Sequence, residues 1–578
     1  MKKEISQIAK ILAPIVLVFS LAIAAHAAVP GITGPTFNLT AQQAYLNQPD
    51  GEAVYSWGYG CNGAPAGFLP TAIAGATCSS MQVPGPTLIV TEGQTVTINL
   101  LNGLPTAAGN TSILFPGFNV TATSGVTGLL TQEAVPGGTV TYTFVASAPG
   151  THPYYSGTQG DLQVEMGLYG AIVVLPKSVP ANCTTGYAAS NLVAKAHWGE
   201  TDFRLTNATG QKGAAYDHPG SCYDREYLFR WAEMDSRIHR QAAAQVADPI
   251  RVQRCATGVT TPGCSLEVQT EPYHPAYFLI NGRSMPDLMD PNYASEYPHQ
   301  PYNGNPHMHP GELTLIRTIG QGRWQHPFHE HANHVRILAR DGNLVLSGVP
   351  NSSITFNTPG GTGVAGPPLA GILMFNTDTT PGESFDGIFY FTGRGLNWDP
   401  YGHHPGDTND PSASLGCTPD ANGYNTGAPT AINYFEWCQD HNKPVQVAPF
   451  GDVASGGPVT LPDPNILTNG QWYGGTPYLG PDASLRATMP TCVGSPYGIA
   501  NPTTPSGGTG TTTPGVATAN CTTLLPSNTQ ANPANERGWA FMWHSHNERE
   551  ITTNNVFPGG MLMMMLVDSR EFVIDESL

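Results

Sequence analysis

One order of strands and turns occurs twice along this chain of 578 residues. Each copy has a glycine-punctuated strand, a Pro-Gly turn, an aromatic strand, a glycine-rich turn and an apolar strand. The copies cover residues 84–175 and 277–567. Short β-rich runs between turns are typical of all-β sandwiches, and a recurring unit indicates a recurring domain. The repeat therefore predicts an all-β chain with two tandem sandwiches.

The composition agrees with this fold class. The 66 Gly and 52 Pro make the chain dense in turns, while 40% hydrophobic residues are enough to fill large cores. The one predicted helix covers residues 232–246. A formal net charge of -18 repels nucleic-acid phosphates and anionic membrane surfaces, so we expect neither as a partner.

The domain limits follow from the repeat. We place the first domain at residues 28–180 and the second at 188–578, with an insertion at about 398–535. The insertion contains four cysteines and a low-complexity run, and we interpret it as a disulfide-rich surface segment. A small third domain within residues 188–272 is left open as an alternative.

The N-terminus predicts export. Three lysines accompany an apolar run at residues 11–25, and Ala25-His26-Ala27 is a small-x-small cleavage site. We therefore expect residues 1–27 to be a signal peptide and the mature protein to be secreted or periplasmic. The run is short for a membrane span, so no stable membrane insertion is expected after cleavage, although a retained anchor is left open.

All ten cysteines follow this segment, and none occurs as Cys-x-x-Cys. An even number in an exported chain favours disulfides. Their spacing suits five bridges between sequence neighbours, although the sequence does not fix the connectivity.

Two histidine clusters are the candidate site. The first contains His326, His329 and His331, and the second contains His544 and His546. Alternate residues of a strand share a face, so each His-x-His pair points one way. If the two strands are neighbours, four imidazoles converge, and among divalent metals copper binds such ligands most tightly. The alternative is two independent His-rich strands.

These motifs resemble those of multicopper oxidases. The first cluster lies in HPFHEHANHVRIL (326–338), which is similar to the His-Pro-x-His-x-His strand of that family. The second cluster lies at the start of WHSHNEREITTNNVFPGGM (543–561), which resembles the family's closing His-Cys-His segment. PGPTLIV (84–90) and GLYGAIVVLP (167–176) resemble the beginning and end of its first domain. The resemblance implies cupredoxin folds, which are Greek-key β-sandwiches, and a copper-dependent oxidase ancestry.

The departures from the family pattern indicate a divergent member. The resemblance places Leu114 and Pro116, and then Tyr155 and Gly157, where the first domain should carry its copper histidines. Ser545 stands where the type 1 copper cysteine should be, and Glu550 stands in the place of a further histidine. A serine oxygen cannot supply the thiolate of a blue copper site. Standard laccase-type reduction of O2 is therefore not expected.

The sequence thus predicts one metal ion held by His329, His331, His544 and His546, with His326 as a further candidate. Copper is the expected metal, and zinc or another transition metal is left open. Glu548 is a candidate acid/base or supporting residue, the alternative being a solvated charged turn.

Two functions follow from this site. One is copper-dependent redox chemistry on a small molecule or a metal ion. The other is a non-catalytic, extracellular metal-binding or structural role. The sequence favours no particular oligomeric state.

Overall fold

The computed structural model describes residues 29–183, 202–309, 312–347, 355–356, 364–365, 367, 369–391, 418, 475–478, 491–492, 524–525, 538–568 and 574. The predicted signal peptide and most of the predicted insertion lie outside these residues. Within the described ranges, no helix is long and apolar enough to cross a membrane.

Two five-stranded sheets form the first sandwich, in the orders β11-β12-β5-β1-β4 and β3-β2-β6-β10-β7. A two-stranded hairpin, β8–β9, projects beside them. The strands are β1 (Gly31–Thr33), β2 (Thr36–Asn47), β3 (Ala53–Cys61), β4 (Phe68–Leu69), β5 (Leu88–Thr91), β6 (Thr95–Asn102), β7 (Thr121–Thr123), β8 (Val126–Thr127), β9 (Gln132–Glu133), β10 (Thr139–Val145), β11 (Gly150–Tyr155) and β12 (Tyr169–Leu175).

Alternation of apolar and polar residues builds this sandwich. In β6, Val96, Ile98 and Leu100 are fully buried, while Thr97 and Asn99 between them have intermediate exposure. These three side chains meet Leu88 and Val90 of the facing sheet in one core. Burying one face of each strand against the other sheet is what stabilises such a pair.

The second sandwich has a seven-stranded sheet, β14-β13-β16-β24-β18-β19 with β22 on β18, and a six-stranded sheet, β15-β29-β28-β17-β23 with β25 on β28. Two further pairs, β20–β21 and β26–β27, lie outside these sheets. The strands are β13 (Arg225–Met234), β14 (Tyr277–Ile280), β15 (His307–Met308), β16 (Leu313–Gly320), β17 (His326–Glu330), β18 (Val335–Arg340), β19 (Asn343–Leu344), β20 (Thr355–Phe356), β21 (Val364–Ala365), β22 (Leu373–Met374), β23 (Asn376–Thr379), β24 (Ser384–Tyr390), β25 (Gly475–Tyr478), β26 (Thr491–Cys492), β27 (Leu524–Leu525), β28 (Gly538–Ser545) and β29 (Leu562–Asp568).

An aromatic core joins these two sheets, with Phe229 and Trp231 from one packing against Phe328 and Trp543 from the other. The sandwiches also pack against each other, because Val173 of β12 shares an apolar cluster with Leu228 and Ile319. The predicted all-β class is therefore confirmed. The domain limits themselves remain predictions.

Helices are few among the described residues. The α-helices are α1 (Gly160–Gln163), α2 (Ser236–Ala247) and α3 (Pro249–Cys255), and the 3-10 turns are Thr106–Ala108, Ala181–Cys183, Pro219–Ser221 and Asp287–Met289. The helix predicted at 232–246 starts later than expected. Its first residues end β13, which pairs with both β14 and β16, and Asp235 caps α2 by accepting a hydrogen bond from the Arg237 amide.

Within the part of the chain that the structure describes, three disulfides join sequence neighbours, as predicted: Cys61–Cys78, Cys183–Cys222 and Cys255–Cys264. The remaining four cysteines lie in the insertion. Cys417, Cys438 and Cys521 fall outside the described residues, and Cys492 ends β26.

Candidate metal centre

Strand pairing brings the two His-x-His motifs together. β17 and β28 are antiparallel neighbours, with His329 directly opposite His544 and Phe328 opposite Ser545. His331 follows the end of β17, and its amide donates to the Met542 carbonyl at 3.2 Å. The neighbouring arrangement that the alternation argument required is therefore present.

Three imidazoles form a compact set. His329, His331 and His544 each offer a ring nitrogen, and these atoms all lie within 4.8 Å of one another. The Nε2 atoms of His331 and His544 are 3.3 Å apart. The ring centroid of His329 lies 4.8 Å from that of His331 and 5.4 Å from that of His544. Three convergent imidazoles fit a divalent transition metal.

The surroundings keep two of these rings neutral. Burial lowers the pKa of His329 to about 4, with further lowering by His544 and His546. Burial also lowers the pKa of His544, against a raising effect from its hydrogen bond to the Ser545 carbonyl. Only a neutral imidazole has a lone pair for a metal. The site is thus prepared for metal binding near neutral pH.

His546 and Glu548 lie at the edge of this centre, both exposed in the turn after β28. The His546 ring centroid is 4.9 Å from that of His329, but His546 is not among the three residues whose nitrogens converge. Glu548 influences His544 only through its charge, which opposes the lowering of the His544 pKa. The structure therefore places both residues beside the three-histidine set.

His326 lies apart from the three histidines. It is fully buried, and both of its ring nitrogens face carboxylates: Nε2 is 2.8 Å from Oε2 of Glu233, and Nδ1 is 2.9 Å from Oε2 of Glu550. Burial alone would lower its pKa, but these two hydrogen bonds outweigh burial and raise the pKa to about 9. An imidazolium has no lone pair for a metal. The arrangement is an ion triplet rather than a ligand set.

Further hydrogen bonds hold the two carboxylates. Glu233 Oε1 accepts from the Trp324 amide at 3.0 Å and from the Tyr273 hydroxyl at 3.2 Å. A Cβ at Gly322 would lie 2.0 Å from its other oxygen, so a side chain there would displace the Glu233 carboxylate. Hydrogen bonds from two neighbouring groups therefore hold the Glu233 carboxylate in position against His326.

Glu550 occupies the side of His326 where a blue copper site would need a thiolate. Its Oε2 accepts a hydrogen bond of 2.5 Å from the Ser545 hydroxyl, and its Oε1 accepts one of 2.9 Å from Asn547. A serine, an ion-paired histidine and a carboxylate do not fit the His2Cys set of such a site. The residues present there do not suit blue copper.

Sequence reasoning missed the role of Glu233 and left open whether Glu550 belongs to a solvated charged turn. Glu550 is fully buried, whereas Glu548 and Arg549 beside it are exposed. The resemblance already placed Glu550 at a histidine position, and that was the available signal. No signal marked Glu233, which lies 93 residues before His326.

In the first sandwich, an isolated antiparallel bridge joins Leu114 to Tyr155 at the end of β11, and both stand at positions where the resemblance would put copper histidines. Leucine has no ligand atom. The described part of the first sandwich thus supplies no imidazole to match His329 and His544 at these positions.

Comparison with known proteins identifies the first sandwich. Residues 74–179 match the family model for multicopper oxidases. Multicopper oxidase MCE of Talaromyces pinophilus is 38% identical over 99 residues, which is 17% of this chain and 16% of that protein. Laccase abr2 of Aspergillus fumigatus is 35% identical over 99 residues, with the same coverage. The matched segment thus spans about a sixth of these relatives.

Solved structures of the same class align with most of the chain. The multicopper oxidase mgLAC aligns over 94% of this chain and 88% of its own, at 13% identity and a TM-score of 0.41. The blue copper oxidase of Nitrosomonas europaea aligns over 92% and 85%, at 13% identity and a TM-score of 0.39. The match to the family model is confined to residues 74–179. Residues 74–179 therefore carry a multicopper oxidase domain, which confirms the resemblance to that superfamily of copper-dependent oxidoreductases.

Proposed function

We propose that this chain is an exported, copper-dependent oxidoreductase that acts on a small molecule or a metal ion at one non-blue copper site. His329, His331 and His544 would hold the ion, and His546 would lie beside it. The observation that carries the proposal is the convergence of three ring nitrogens within 4.8 Å. A sandwich has no structural need for such a cluster, because buried imidazoles cost desolvation that apolar residues avoid.

A backbone hydrogen bond fixes the orientation of one proposed ligand, His544. Nδ1 of His544 lies 2.6 Å from the Ser545 carbonyl oxygen, which can only accept a hydrogen bond. Nδ1 therefore carries the proton, and the lone pair is left on Nε2, the atom that lies 3.3 Å from Nε2 of His331. Hydrogen bonds of this kind fix the tautomer and ring orientation of metal-binding histidines.

Copper bound here would supply one-electron exchange with a substrate. A substrate could reach the ion from solvent, because His546 is exposed, His331 is half-buried and Phe375 beside His329 is 50% exposed. Three protein ligands with an open side are the arrangement that catalytic metal sites use to admit substrate. Glu548 in the exposed turn is available for proton transfer at this rim.

The departures at Leu114, Tyr155, Ser545 and Glu550 support a divergent member of the superfamily. Without a thiolate, the usual electron-entry site is lacking, and without first-domain histidines a full cluster for four-electron reduction of O2 cannot assemble from these positions. The same departures favour the rival function, a non-catalytic metal-binding protein. Zinc in place of copper would also suit that rival.

Alanine variants separate these functions. We expect His331→Ala and His544→Ala to weaken Cu(II) binding by more than about 100-fold, because even outer-shell changes cost 10–100-fold. His334→Ala is the matched control, since His334 lies in the same segment but packs on Phe375. Turnover of phenols or Fe(II) that disappears with copper binding supports the oxidoreductase. Tight copper binding without turnover supports the rival, and unchanged copper binding in both variants refutes the site.

A further inference from the structure

A cavity of about 460 Å³ lies between the two sandwiches. Leu114, Tyr155 and the β8–β9 hairpin line it on one side, and the segment Gln321–Arg323 lines it on the other. None of the histidines of the metal centre takes part. Its volume is within the range of small-molecule pockets.

The walls are mainly apolar, and part of that apolar surface faces water. Leu129 is 91% exposed and Leu130 is 64% exposed at the tip of the β8–β9 hairpin, where both border the cavity. Two adjacent leucines in water contribute nothing to the core of the sandwich. Apolar side chains grouped at the mouth of a pocket are typical of a ligand site.

The charged group at the cavity is already engaged. The Arg323 guanidinium donates to the Thr270 carbonyl at 2.9 Å, pairs with Glu271 and stacks 4.2 Å from the Tyr273 ring centroid. No acidic side chain is among the lining residues that the structure describes. The pocket is therefore suited to a neutral molecule, since a charged one would lose hydration without gaining a partner.

One hydroxyl is available in this cavity. Tyr155 is half-buried, and its hydroxyl makes no hydrogen bond with another of the described residues. In contrast, the nearby Ser156 hydroxyl donates to Gln163 at 2.6 Å. Burial raises the pKa of Tyr155, so the phenol keeps its proton and can donate it.

We infer that this cavity binds a small, neutral, mainly apolar molecule with one accepting oxygen, such as a ketone, ester or alcohol, held by the Tyr155 hydroxyl. The ligand's hydrocarbon part lies against Leu114, Leu129 and Leu130. This site does not depend on a metal at the histidine centre.

Two probes of the same shape test the inference. Acetophenone has the carbonyl oxygen, and isopropylbenzene lacks it, and their binding to the full chain is measured by ligand-observed NMR. We expect Tyr155→Phe to weaken acetophenone binding about three- to tenfold, the value of one hydrogen bond, and to leave isopropylbenzene binding within about twofold. Tyr45→Phe is the control, because Tyr45 is 58% exposed on β2, away from the cavity.

Leu129→Ser and Leu130→Ser provide a second test that does not disturb the core. Both side chains are exposed, so these variants fold as the parent does, and both probes should bind more weakly to them. The inference is overturned if the parent binds neither probe, if Tyr155→Phe affects both probes equally, or if the hairpin variants bind as the parent does.

Discussion

The ion triplet of Glu233, His326 and Glu550 makes the stability of the second sandwich depend on pH. The imidazolium of His326 lies between one carboxylate on β13 and another in the turn before β29. The groups in direct contact with the triplet are the Trp231 ring, the Tyr273 hydroxyl, the Ser545 hydroxyl and the Asn547 amide. Two charged groups lie one residue further out at Tyr273: its hydroxyl also donates to Glu165, and the Arg323 guanidinium stacks on its ring. The double variant Glu233→Gln/Glu550→Gln removes both charges that hold the proton on His326.

The magnitude follows from the pKa. A rise from 6.5 to about 9 corresponds to about 3 kcal/mol of stabilisation at about 1.36 kcal/mol for each pKa unit. Because the folded-state pKa lies above that of the unfolded chain, this contribution is fully present below pH 6.5. It is lost progressively as the pH rises through about 9. The group is fully buried, so solvent does not screen it.

Urea unfolding at a series of pH values, followed by tryptophan fluorescence, measures this loss. Trp231 stacks near His326 and Trp543 lies in the same core, so the signal includes this sandwich. Trp57 in the first core also contributes, and because it is common to both proteins the comparison with the double variant isolates the triplet. We expect the parent to lose about 3 kcal/mol more than the double variant between about pH 6.5 and about pH 9. Parallel curves for the two proteins, or an NMR pKa for His326 below its ordinary value, would refute the reasoning.

Two further predictions concern other buried groups. Asp386→Asn leaves Glu226 as the remaining ion-pair partner of the fully buried Arg317, and it should lower the free energy of unfolding by about 3–5 kcal/mol in thermal unfolding. Arg240→Gln removes an exposed ion pair with Glu52, and it should lower the free energy of unfolding by less than about 1 kcal/mol. Equal losses would contradict this. Ser545→Cys alone should give no intense blue absorption with copper, because Glu233 and Glu550 still hydrogen-bond both ring nitrogens of His326. A blue band would show that copper displaces these hydrogen bonds and binds His326.

The fold and the histidine centre were predictable because both rest on short-range patterns. The alternation of Val96, Ile98 and Leu100 marks a strand with one buried face, and the His-x-His spacing puts His329 and His331 on one side. A repeated order of such strands leaves few ways to bury their faces other than two sandwiches.

The ion triplet was not predictable, because its members meet only in three dimensions. Glu550 lies 224 residues after His326, and nothing in its exposed neighbours indicates that it is buried. The start of α2 was misplaced for a similar reason. Residues 232–234 have helix-compatible side chains, but pairing with β14 and β16 holds them in a strand, and tertiary pairing overrides local propensity.

Copper content of the mature protein, with its visible and EPR spectra, tests the central claim most directly. The three-histidine centre predicts about one copper per chain, a type 2 EPR signal and no intense blue band. Three or four coppers with a blue band would contradict it and restore an ordinary multicopper oxidase, and a protein that binds no copper would refute the copper site.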